Sequence, residues 1–93
     1  MKNAKVYVIV ADSEEYDEQR VFVAQTKAEC IVKALYFAVV ETQEVMKQYT
    51  QVQPIDEAAF CNALRKENYV DWGTCGGCQR YTMYCEEAQF STQ

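Results

Sequence analysis

The sequence predicts an α+β domain, a small antiparallel sheet of three to four strands in the order ββααββ, packed by one long and one short helix. Three observations lead there. Residues 26–48 carry apolar side chains at steps of three and four behind a capping signal. Two β-branched, aromatic-rich runs precede them, and two more come after a second, shorter helical pattern. With one proline and three glycines there is little material for linkers, so residues 1–93 are expected to form a single domain.

The first two runs, residues 5–11 and 19–25, read as the strands of a hairpin joined by residues 12–18. Tyr7, Ile9 and Ala11 share one face of the first strand and Val6, Val8 and Val10 the other. Both sets are apolar, so alternation does not say which side meets the helices. A strand of this kind sits centrally in a sheet or presents a partner surface.

Thr26 and Glu29 form a capping-box pair at the start of the long helix, which at 1.5 Å per residue spans roughly 34 Å. Its expected core stripe is Ala28, Ile31, Leu35, Ala38, Thr42, Val45 and Tyr49, widened by Cys30, Ala34 and Phe37. Pro54 ends the connector after it. Asp56 then fits the N-cap of the second helix, with Ile55 and Phe60 as a staple across it and an apolar side running to Leu64. Residues 69–72 and 79–85 read as a second hairpin around a turn containing Cys75 and Cys78.

Composition narrows the chemistry. The chain has no histidine, which removes the commonest general base and zinc ligand and excludes any triad built on one. No glycine-rich phosphate loop occurs, because the glycines are interleaved with cysteines between residues 73 and 77. A net charge of −5 with scattered lysines and arginines disfavours a nucleic-acid backbone as ligand. The longest apolar run, residues 34–40, is far short of the about 20 residues a bilayer span needs. With no secretory signal in view, a cytoplasmic protein that is not an enzyme and works without a membrane is expected.

Charge is densest in residues 12–18, which hold five carboxylates, Asp12, Glu14, Glu15, Asp17 and Glu18, around Tyr16. Such a segment reads either as a solvated hairpin tip or as an acidic contact surface for a basic partner, with Tyr16 as its rigid anchor. The five cysteines offer a second constellation. Cys75 and Cys78 have the spacing of a zinc knuckle, and without histidine a four-ligand site needs Cys61 and Cys85 as well. Cys85 reaches such a site only if its strand is short or bulged. Reduced thiols and a disulfide are the other readings.

The segment from Trp72 to Cys78 distantly resembles the CxxC active site of thioredoxin-like oxidoreductases, but the residues after Cys78 are strand-like and no proline lies downstream. A resemblance of type is carried by residues 5–35, an acidic hairpin running into a capped helix in a very short chain. It looks like the small phage-encoded inhibitors of bacterial defence systems, the anti-CRISPR proteins. That resemblance implies a binding protein that occupies a basic, nucleic-acid-binding surface of an effector complex in the host cytoplasm, with carboxylates where phosphates would sit. Those inhibitors share no motif, so no site residues carry over; Asp12, Glu14, Glu15, Tyr16, Asp17 and Glu18 are expected as partner-binding residues from charge density alone. A structural zinc domain on Cys75 and Cys78 is the alternative. The surplus of aromatic residues also points to an interface, with another protein or with a second copy in a homodimer.

Overall fold

The structure, a computed structural model, describes residues 2–13, 19–48, 54–73 and 80–92, with side-chain surroundings for residues 5–13, 19–48, 54–73 and 81–88. Its elements are β1 (Lys2–Ser13), β2 (Gln19–Ala24), α1 (Lys27–Gln48), α2 (Glu57–Glu67), β3 (Tyr69–Gly73) and β4 (Arg80–Thr92). The chain is α+β, and its four strands make one antiparallel sheet in the order β2-β1-β4-β3. Each hairpin thus keeps its own strands adjacent, and β1 and β4 join the two halves of the chain. They pair along their full length, from Lys2 opposite Thr92 to Ser13 opposite Tyr81. This ladder carries both strands well past their sequence-predicted ends, with a cross-strand ion pair between Lys5 Nζ and Glu87 Oε1 at 2.8 Å.

Alternation along the ladder settles which face is inside. Ile9 and Ala11 of β1, Ala24 of β2, Trp72 of β3 and Tyr81, Met83 and Cys85 of β4 are buried together with residues of both helices. A line of small residues four apart, Cys30, Ala34, Ala38 and Thr42, lies on the buried side of α1 and lets its backbone approach the sheet closely. Of the expected core stripe, Ile31, Ala38, Thr42 and Val45 are buried, as are Cys30 and Ala34 of the line that widens it, while Ala28 is exposed and Leu35 half-buried; Tyr49 lies outside the described residues. The polar members of this side are satisfied within it. The Cys30 thiol shares its proton between Phe22 O at 3.3 Å and Tyr7 O at 3.4 Å, and Thr42 Oγ1 donates to Ala38 O at 2.8 Å.

Both helix starts obey their sequence signals. Thr26 Oγ1 accepts from Glu29 N at 3.2 Å, and Asp56 Oδ1 accepts from Ala59 N at 3.1 Å. Helix α2 ends at Asn68, whose φ of 58° is the left-handed cap conformation that asparagine tolerates. Lys27 Nζ reaches across from α1 to donate to Arg65 O and Asn68 Oδ1, tying the start of one helix to the end of the other. A chain of rings runs over the inner face from Phe22 through Phe37 and Tyr81 to Trp72, with centroids 5.3–5.6 Å apart.

No helix among the described residues is long and apolar enough to cross a membrane. The packing predicts two graded effects on unfolding in urea. Leu64→Ala, which empties a fully buried position, is expected to cost about 2–5 kcal/mol. Ala38→Leu, which pushes α1 off the sheet, is expected to cost about 1–3 kcal/mol. A loss under roughly 0.5 kcal/mol at Leu64 would contradict its place in the core.

Candidate interaction surface

Both helices pack on the inner face, and the residues that alternate with the core residues form an outer face that no helix among the described residues covers. Its centre is a cross-strand row. Val21 of β2 stands opposite Val10 of β1, Val10 opposite Tyr84 of β4, and Tyr84 opposite Tyr69 of β3. Four apolar or aromatic side chains thereby span all four strands, a distance of roughly 14 Å at the usual strand spacing. The two tyrosine rings lie 5.0 Å apart at a tilt of 49°. Val21 and Tyr84 are about half exposed, at 54% and 46%.

The rows on either side hold the charge. On one, Val23 and Val8 are followed by Glu86; on the other, Gln19 and Asp12 are followed by Thr82 and Asp71. Gln19 Nε2 donates to Asp12 Oδ1 at 2.8 Å, which orients that carboxylate. Among the described side chains this face carries three acids, Asp12, Asp71 and Glu86. On the helix side Arg20 lies 5.8 Å over the Phe37 ring, Lys27 caps α2, and Lys33 Nζ donates to Val23 O at 2.7 Å.

Of the expected partner-binding residues, Asp12 belongs to this face, at the end of β1. Glu14, Glu15, Tyr16, Asp17 and Glu18 lie outside the described residues, between Ser13 at the end of β1 and Gln19 at the start of β2. The valine and tyrosine row is not evident from the sequence alone. Its signal is the two-sided apolar pattern of residues 6–11, but an isolated strand does not reveal its neighbours.

Cys75 and Cys78 also lie outside the described residues. Cys61 sits on α2 and Cys85 on the inner face of β4, opposite Ile9. The short or bulged strand that would bring Cys85 to the turn is not the one observed. Pairing continues in register from Arg80 past Cys85, which places that residue roughly 17 Å along the strand from Arg80. No group of three metal-ligating side chains occurs among the described residues. A cavity of about 360 Å³ between α1, α2 and β3 is lined by Thr42, Ile55, Phe60, Val70 and Trp72, with Asp56 at its rim. The Thr42 hydroxyl and the Asp56 carboxylate there are engaged with backbone groups of their own helices.

Burial pushes the thiols of Cys30, Cys61 and Cys85 above the ordinary value of 9.0, because the neutral form is favoured away from water. Such thiols are poor nucleophiles. The native protein is therefore expected to react slowly with a disulfide reagent at Cys30 and Cys85 at neutral pH, and quickly in urea, as read by peptide-resolved mass spectrometry. The linkage has one sign: stability contributed by the buried neutral thiols is complete below the ordinary thiol value and falls as pH rises through the raised ones. Equal labelling rates in native and unfolded protein would contradict this placement.

No family model matches the chain, and no curated protein and no solved structure matches it at a significant level.

Proposed function

We propose that this protein works by binding, and that its open sheet face docks on a basic surface of a protein partner. One observation carries the reading: an apolar row across all four strands, Val21, Val10, Tyr84 and Tyr69, lies between rows bearing Glu86 on one side and Asp12 and Asp71 on the other. The row supplies surface that gains from leaving water, and tyrosine supplies area at low entropic cost. The carboxylates and the net charge of −5 steer the approach of a cationic partner and reject an anionic one. A surface that ordinarily receives nucleic acid has the matching chemistry, since it is basic and lined with groups that stack or bond. In this reading the chain is a non-enzymatic inhibitor that competes with a polyanion, and the basic effector complexes of bacterial defence are the class of target that the sequence resemblance implies. The acids of residues 14–18 add to the negative charge of the chain.

Affinity capture from host lysate with identification by mass spectrometry supplies the partner, and titration of the purified pair tests the surface. Val10→Ser with Tyr84→Ser is expected to weaken binding at least tenfold, a loss of about 1.4 kcal/mol or more. Asp12→Asn with Glu86→Gln is expected to slow association and flatten its dependence on salt. Replacing Glu14, Glu15, Asp17 and Glu18 with Ser is expected to act in the same direction. Affinity unchanged by the first pair would remove the sheet face from the mechanism, and affinity that rises with salt would remove the charge.

A further inference from the structure

Helix α1 is apolar on two sides. Residues 34–40 are seven consecutive apolar residues, which no helix can place on a single face. Ala34 and Ala38 turn toward the sheet with no exposure, while Tyr36 is 72% exposed, Val32 62% and Val40 36%. These three are four residues apart, so they form a stripe on the side of α1 opposite its core line. Beside them Phe22, Phe37 and Lys33 complete a shallow apolar groove of about 570 Å³. A helix apolar on its outer side is ordinarily covered.

The stripe is self-complementary in one direction only. Exposed Glu29 lies near the start of α1 and exposed Lys47 in its last turn, on the same line as Tyr36 and Val40. The spacing Glu29, Tyr36, Val40, Lys47 reads the same from either end, at steps of seven, four and seven. Two such helices laid antiparallel about a two-fold axis beside residue 38 put Glu29 against the second copy's Lys47, and Tyr36 against the second copy's Val40. A parallel pair would set Glu29 against Glu29 and Lys47 against Lys47. Lys47 Nζ also lies 3.0 Å from Glu44 Oε1, but that pair is exposed and holds the lysine only weakly. On the neighbouring edge strand β2, Lys33 Nζ already holds the Val23 carbonyl.

We propose that α1 is a homodimerisation surface, on which a second copy of this chain packs its own α1 antiparallel across Tyr36 and Val40. The three stripe side chains expose on the order of 300 Å² of apolar surface, against roughly 800 Å² per partner in a standard interface. The dimer is accordingly reversible and concentration-dependent. This inference is independent of the sheet face, which lies on the other side of the molecule.

Sedimentation velocity of the full chain over a concentration series tests it. A monomer–dimer equilibrium is expected, weakened roughly tenfold or more by Tyr36→Glu, with an unchanged urea midpoint showing that the fold is intact. Glu29→Lys and Lys47→Glu are each expected to weaken association, and the double variant to restore it. A monomer throughout the series overturns the proposal, as does a dimer indifferent to Tyr36→Glu. A double charge variant no tighter than the singles also overturns it. Tyr84→Ser is expected to dimerise like the parent; loss of the dimer there would assign self-association to the sheet face and defeat the α1 pairing.

Discussion

Two helices on the same side of a sheet can keep only one of its faces dry. Every other feature of this molecule depends on how that constraint is met. Helix α1 lies over β1 and β2, and α2 over β3 and β4, so together they close the inner face from edge to edge. Cys30, Ala34 and Ala38 make close approach possible, because small side chains let helix backbone and sheet come together without voids. The rings of Phe22, Phe37, Tyr81 and Trp72 fill the wider space. Among the described residues nothing comparable covers the outer face, although its central row is as apolar as many buried ones.

The β1–β4 ladder determines which residues occupy that open face. Because side chains alternate with a period of two, a slip of β4 by one residue would carry Met83 and Cys85 out and Tyr84 and Glu86 in. Glu86 makes the exchange unfavourable, since a carboxylate would enter the core unpaired. Lys5 with Glu87 adds a diagonal ion pair at the far end of the ladder, though both partners are largely in solvent and contribute little energy. Register here comes from burial, and the ion pair is its consequence.

Much of the architecture is legible from short-range signals. Thr26 and Asp56 announce both helix starts because capping is a local hydrogen bond between neighbours in sequence. The strand cores are visible for the same reason, as runs of β-branched residues. What escapes are properties created by pairing. Residues 86–92 are too polar to suggest a strand, and they form one because β1 lies alongside. The stripe of α1 is legible for Ile31, Ala38, Thr42 and Val45, but Ala28 and Leu35 look as apolar as Cys30 and Ala34 until the angle of the helix on the sheet is known. The two faces of β1 cannot be ranked, because the face left open is no less hydrophobic than the face enclosed. That ambiguity is itself the trace of the surface: a strand needs one apolar side for its own core, and a second is surplus to folding.

The two surplus surfaces point in opposite directions. Stripe residues Val32, Tyr36 and Val40 face away from the sheet on the helix side, and the row of Val21, Val10, Tyr84 and Tyr69 faces away from the helices. The proposed pairing through α1 would leave both sheet faces free, one on each side of the dimer and aimed apart. A target with a single basic site gains nothing from such an arrangement, whereas two such sites on one assembly, or on two neighbouring copies, would be bridged. Bridging turns the second contact into an intramolecular one, so a modest affinity at each face yields a slow overall dissociation.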